Sequence, residues 1–189
     1  IAYEGADAVV IDPGDEGDRI HEVLREKGLK VSHILLTHGH FDHIGALEAL
    51  KKDTGALICI HEDDAEMLMS ADKNLSRIVG LPFKTVKADM LLADGQTIGA
   101  GGMTIKVIHT PGHTQGGVCF EIGDCLFTGD TLFYQSIGRT DFPGSSLPML
   151  NKSLQKLIGL DGDYTVYPGH GPSTMLDAEK QTNAFLRGL

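Results

Sequence analysis

The sequence predicts an α/β protein in which strands and helices alternate through two successive halves. Three observations carry that reading. Apolar runs at 8–11, 32–36 and 57–60 are each followed by a helix-like stretch. The region 96–128 is instead cut by glycine turns into short strand-like runs. Beyond it, Leu147, Leu150, Leu154, Leu157 and Ile158 recur at helical spacing ahead of a last strand over 164–167.

Taken in order, the run at 8–11 reads as a buried strand stopped by Asp12-Pro13-Gly14. From spacing alone, Asp12 is a turn or helix-capping residue, although a strand tip could also aim its carboxylate into a site. Residues 16–27 read as a helix, with Ile20, Val23 and Leu24 on one face and Gly28 as its stop. The strand over 32–36 is followed by a helix with Ile44, Ala46, Leu47 and Leu50 on its apolar side, ending at Gly55. The run at 57–60 completes a strand–helix–strand unit with parallel pairing. His61-Glu62-Asp63-Asp64 opens another helix, its acidic first turn suiting the helix dipole, and His61 reads as structural. Residues 71–89 suggest no regular element; they read as a wall over a substrate cleft or as a surface connection. Strands then follow at 96–98, Met103–His109, 117–122 and 125–128, with Gly123-Asp124 as a hairpin turn. A weakly patterned helix over 174–186 ends the chain. No linker and no exact internal repeat interrupts this order, so a single domain over 1–189 is expected.

Composition narrows the function classes. The chain has 189 residues, enough for a proper core, with 41% hydrophobic and 22% charged residues. Its formal net charge is −10 and no basic cluster occurs, which argues against nucleic acid or an anionic membrane as partner. A small-molecule substrate is expected instead; oligomeric state is not legible. Cys59, Cys119 and Cys125 are odd in number, form no C-x-x-C motif and lie in apolar runs, so buried free thiols in a reducing compartment are expected. No stretch is long and apolar enough for a membrane helix, and no signal peptide is visible, so a cytoplasmic location is expected.

The chemistry concentrates in Thr37-His38-Gly39-His40-Phe41-Asp42-His43, where four metal-binding side chains crowd the end of a strand. Three later places share a grammar: a strand ends, glycine allows a sharp turn, and a ligand-type residue follows. These are His113 in Thr110-Pro111-Gly112-His113-Thr114, Asp130 in Thr128-Gly129-Asp130-Thr131, and His170 in Pro168-Gly169-His170-Gly171. Alone, His113 or His170 would read as structural. With the heptapeptide, five histidines and two aspartates suffice for two metals with about three protein ligands each. Imidazole and carboxylate without thiolate suit zinc, iron or manganese and do not choose among them.

THGHFDH, TPGHT, TGDT and PGHG, in this order, resemble the metallo-β-lactamase superfamily along nearly the whole chain. The resemblance implies a four-layer αββα sandwich carrying two divalent metal ions, zinc foremost. It places His38, His40 and His113 on one metal and Asp42, His43 and His170 on the other, with Asp130 bridging. It moves Asp12 from turn residue to a group orienting a ligand from behind. Relative to the family pattern the start lacks a strand, in keeping with a chain that begins at Ile1 rather than Met.

Within that family the chain is most similar to glyoxalase II, the hydroxyacylglutathione hydrolases, and its short bacterial relatives. Hydrolysis of a small thioester such as S-lactoylglutathione is therefore implied. A water activated by the two metals would attack the carbonyl, with Asp42 and Asp130 as the catalytic carboxylates. Departures from the pattern bear on substrate. The chain ends at Leu189, before the helical glutathione-binding domain of glyoxalase II proper. Arg139 stands where that family has a substrate-contacting lysine, whereas Asp141 does not match its tyrosine. Arg139 reads equally as a grip on substrate or as the partner of Asp141 or Asp130. Asp130 stands where true β-lactamases of this fold commonly have a nearby cysteine, which argues against lactam hydrolysis. Gly138-Arg139-Thr140-Asp141-Phe142 also resembles persulfide dioxygenases, which use one iron on residues matching His38, His113 and Asp130. A lactone or other ester is a third reading.

Overall fold

Val9 and Val10 are buried on opposite faces of one strand, the mark of a sheet interior. The computed structural model describes residues 1–189. Its backbone divides into two compact units, Ile1–Leu92 with Ile98–Thr104, and Ala93–Thr97 with Ile105–Leu189.

The first unit contains β1 (Ala2–Glu4), β2 (Asp7–Ile11), α1 (Gly17–Glu26), β3 (Lys30–Leu35), α2 (Phe41–Ile44), α3 (Leu47–Thr54), β4 (Leu57–His61), a 3-10 segment (Glu62–Met69) and β5 (Met90–Leu92). The sheet order is β1-β2-β3-β4-β5. β1 is antiparallel to β2, and the remaining neighbours pair in parallel, as expected for the strand–helix–strand unit. Val10, Ile34, Leu36, Leu47, Leu50 and Ile58 build its core. Full burial of each such side chain contributes about 1.5–3 kcal/mol.

Several boundaries differ from the sequence reading. Glu16 takes a left-handed conformation, φ 52°, so α1 begins at Gly17. The helix expected through Ile44 and Leu50 is two helices, α2 and α3. The break is made by the turn after β2. Ala46 N–H donates to the Pro13 carbonyl at 2.9 Å, and a Cβ on Gly14 would overlap the carbonyl oxygen of Asp42. The helix expected after His61 is a 3-10 segment, and His61 caps it by accepting from Asp63 N–H at 3.3 Å.

The second sheet has the order β13-β12-β9-β8-β7-β6. Its strands are β6 (Thr97–Ala100), β7 (Met103–His109), β8 (Val118–Ile122), β9 (Cys125–Gly129), β12 (Thr165–Pro168) and β13 (Thr174–Met175). A two-residue hairpin, β10 (Leu132–Phe133) and β11 (Ser136–Ile137), follows β9, and α4 (Leu147–Ile158) and α5 (Leu176–Thr182) complete the second unit. Ser146 caps α4 by accepting from Met149 N–H at 3.4 Å, and Leu150, Leu154 and Leu157 are its buried face. The last helix starts later than expected because Thr174 and Met175 pair with β12 instead, and it ends at Thr182. The sequence gives no hint of a buried carboxylate at Glu179. It accepts from Gln135 N–H at 2.9 Å, Asn183 Nδ2 at 2.8 Å and Thr174 Oγ1 at 2.8 Å. These bonds hold Gln135, φ 55°, at the tip of the β10–β11 hairpin.

No helix is long and apolar enough to cross a membrane. Cys59 and Cys119 are buried free thiols as expected, whereas Cys125 is only half-buried. Burial, with Asp89 nearby, pushes the Cys59 thiol up to about 12, and burial pushes Cys119 up to about 11. Alkylation of the native protein at pH 8 is therefore expected to spare both, and unfolding in urea to expose them. Mass spectrometry of the two samples checks this.

A candidate metal centre in two halves

The first half lies at the C-terminal end of β3. Thr37, His38 and His40 follow the strand, and Asp42 and His43 stand on α2. His38, His40 and His43 are buried at 2%, 6% and 2% exposure, unusual for three imidazoles within six residues of chain. The His38 ring lies 4.8 Å from that of His40 and 4.1 Å from that of His43, centroid to centroid.

Asp12 organises this cluster. It ends β2 in a left-handed conformation, φ 46°, which Asp tolerates better than most residues and which stores strain. Its Oδ1 accepts from Thr37 N–H at 2.7 Å. Its Oδ2 accepts from Thr37 Oγ1 at 2.6 Å and lies 2.9 Å from His43 Nδ1. A carboxylate oxygen only accepts, so His43 carries its proton on Nδ1. The Thr37 hydroxyl proton is directed to Asp12, so its oxygen accepts from His38 Nδ1, 3.1 Å away. One carboxylate and one hydroxyl thus set the tautomers of two histidines. Both turn a lone pair on Nε2 outward, the form a metal ligand requires. The expectation for Asp12 named its position. Thr37 was missed, although a threonine directly before the first histidine of the heptapeptide was the available signal.

The second half is carried by the ends of β7, β9 and β12. His113 follows β7, Asp130 follows β9 and His170 follows β12. His113 Nδ1 lies 2.8 Å from the backbone oxygen of Arg139, which fixes the proton on Nδ1 and the lone pair on Nε2. Asp130 Oδ2 stands 3.5 Å from His113 Nε2 and 3.7 Å from His170 Nε2. One carboxylate oxygen is therefore flanked by two ring nitrogens. His113 is buried, whereas the side chain of His170 is 54% exposed.

The loop bearing Arg139 is held tightly against Asp130. Gly138 N–H donates to the Thr131 carbonyl at 3.2 Å, and a Cβ on Gly138 would overlap the carbonyl oxygen of Asp130. Gly138→Ala is expected to cost about 1–3 kcal/mol through overpacking. A Tm several degrees lower, with weakened metal retention on dialysis, checks it. The Arg139 guanidinium makes a bidentate pair with Asp141, 2.6 Å on each arm, and lies 4.2 Å from the centre of the Phe142 ring. The internal ion pair considered from sequence is thus formed with Asp141. The contribution of Arg139 backbone to His113 had no sequence signal.

The donor set fits hard or borderline divalent cations. Three imidazoles have an oriented Nε2, carboxylates supply the remaining charge, and no thiol is involved. Comparison with known proteins bears on the same region. The metallo-β-lactamase superfamily model matches residues 1–170, a span that includes all seven candidate ligands. The hydroxyacylglutathione hydrolase GloC of Haemophilus influenzae is 36% identical over 188 residues, covering 95% of this chain and 87% of GloC. The crystal structure of the BLEG-1 B3 metallo-β-lactamase superposes with a TM-score of 0.94 at 37% identity, covering 99% of this chain and 92% of that one. TTHA1623, in a di-iron-bound form, gives a TM-score of 0.84 at 37% identity, over 93% of this chain and 88% of that one. The mixed α/β fold is thus the metallo-β-lactamase fold expected from sequence, and the chain belongs to the metallo-β-lactamase superfamily.

Proposed function

We propose that this chain is a metal-dependent hydrolase of a small thioester of the S-lactoylglutathione type, with both units contributing to one metallo-hydrolase domain. His38, His40 and His113 would hold one divalent cation. Asp42, His43 and His170 would hold the second, and Asp130 would join the two. The observation that carries this reading is Asp130 Oδ2, flanked at 3.5 Å and 3.7 Å by the Nε2 atoms of His113 and His170. A carboxylate oxygen so placed suits a ligand shared by two cations. The di-iron form of TTHA1623 supports a pair of metals, and the likeness to GloC supports the thioester. Zinc is the metal proposed, with iron or manganese accepted by the same donors.

When bound, such a pair supplies Lewis-acid polarisation of the carbonyl and a lowered pKa for water. The protein's own groups do the positioning. Thr37 and Asp12 hold His38 and His43 in the ligating tautomer, and the Arg139 carbonyl does so for His113. Asp42 and Asp130 would supply the negative charge that offsets the cations and could orient a water. The exposed Arg139 guanidinium, already pre-shaped by Asp141, would meet a carboxylate of the substrate.

The likeness to a protein described as a B3 metallo-β-lactamase favours a second reading, a β-lactam amide, against the expectation drawn from Asp130. One experiment separates them. Protein loaded with zinc, and separately with iron, is assayed for metal content, S-lactoylglutathione cleavage, cleavage of a chromogenic cephalosporin, and oxygen uptake with a persulfide. Two metals per chain and thioester turnover are expected. Two metals with cephalosporin turnover alone would establish the second reading. One iron with oxygen uptake would replace hydrolysis by oxygenation.

A further inference from the structure

We infer that the acyl group of the substrate is an apolar chain longer than lactoyl, and that it lies in a cleft of the first unit beside Asp42. This inference rests on the thioester reading above and replaces its lactoyl group by a longer acyl chain. The cleft measures about 510 Å³, within the range of roughly 300–1,000 Å³ usual for small-molecule sites. Phe41 and Leu47 line it from α2 and α3, and Leu68 from the 3-10 segment. Leu81, Phe83 and Val86 line it from the chain that runs between that segment and β5. Leu68 is fully buried, and Phe83 and Val86 pack against the first unit's core, so the cleft reaches the core.

The segment 76–86 spans this cleft as a strap without regular structure. Leu81 N–H donates to the Ser76 carbonyl at 3.1 Å, and Val86 N–H to the Leu68 carbonyl at 3.0 Å. The first bond closes a turn within the segment and the second ties it to the 3-10 segment, and Leu81 is 52% exposed while lining the cleft. Asp15, Asp42, Glu48, Ser76 and Lys84 are the polar residues of its lining, and Lys84 and Glu48 pair with each other at 3.0 Å. Asp42 lines the same cleft, so an acyl chain seated there lies against a residue assigned to the metal pair. A short hydroxylated acyl group would leave most of this apolar wall untouched. A linear alkyl chain would cover it, and each methylene buried would raise kcat/KM about four-fold.

The test uses the full zinc-loaded chain and glutathione thioesters of acetate, butyrate, hexanoate and octanoate. Binding of octanoate to metal-free protein is measured in parallel by calorimetry. We expect kcat/KM to rise about two orders of magnitude from acetyl to hexanoyl. Leu81→Glu should flatten that series and weaken octanoate binding at least ten-fold. Leu81 is half exposed, and an unchanged circular dichroism spectrum and Tm confirm that the variant folds. Turnover that is flat with chain length would overturn the cleft assignment while leaving the thioesterase intact. Absence of turnover with every thioester would instead overturn the hydrolase reading. In that event, octanoate binding that Leu81→Glu weakens still supports an apolar-chain site, and no binding removes it.

Discussion

Asp130→Asn is expected to lower thioester turnover by more than about 100-fold, beyond the loss usual for an outer-shell partner. It should also reduce bound metal from two ions towards one. The substitution keeps the size and shape of the side chain and removes its charge. Asp130 Oδ2 stands 3.5 Å and 3.7 Å from two imidazole nitrogens, so its charge is the one removed between them. Metal content by mass spectrometry, read beside kcat, checks the prediction. Full occupancy with undiminished turnover would remove Asp130 from the centre.

Asp12→Ala carries the second large effect. It is expected to weaken metal binding by about 10–100-fold, because His38 and His43 lose the partner that selects their tautomer. The same change leaves the Thr37 N–H and hydroxyl without their acceptor, a cost of about 1–3 kcal/mol per buried group. Alanine at φ 46° adds strain of its own. Asp12→Asn separates the two contributions. It tolerates the left-handed backbone and its Oδ1 can still accept from Thr37 N–H, but its amide N–H₂, in the place of Oδ2, can accept from neither the Thr37 hydroxyl nor His43. A normal Tm with weakened metal binding is expected for Asp12→Asn. Unchanged metal affinity in both variants would make Asp12 a turn residue only.

These two residues differ in how far the sequence exposes them. Asp130 is legible because glycine and a strand end mark it, and because His38, His40, Asp42 and His43 crowd one heptapeptide. Metal chemistry demands particular residue types, and types are written in the sequence. α4 is equally legible, since Leu150, Leu154 and Leu157 face one core. What the sequence hides is supplied by backbone. The Arg139 carbonyl that orients His113 could belong to any residue. The split between α2 and α3 comes from the Pro13 carbonyl and the contact at Gly14, which no local periodicity encodes. β1, β5, β10, β11 and β13 are too short, or too mixed, for an alternation to register. Residues 71–89 read equally as a substrate wall or a surface connection, and only the fold shows that Leu81, Phe83 and Val86 share a cleft with Phe41.

The shortness of α2 has a consequence for how metal would be acquired. Four residues cannot sustain a helix in water. Its geometry is imposed by the turn that ends β2, through Gly14 and the Pro13 carbonyl, and by Asn74, whose carbonyl accepts Phe41 N–H at 3.0 Å. Asp42 and His43 are thus held by a packed sheet edge, with Ile44 and Leu47 in the core behind them. In small metal-dependent domains, binding and folding are one event. For Asp42 and His43 the ordering entropy is already met in closing the hydrophobic core, so their share of cation affinity would reflect donor chemistry with little folding free energy in it.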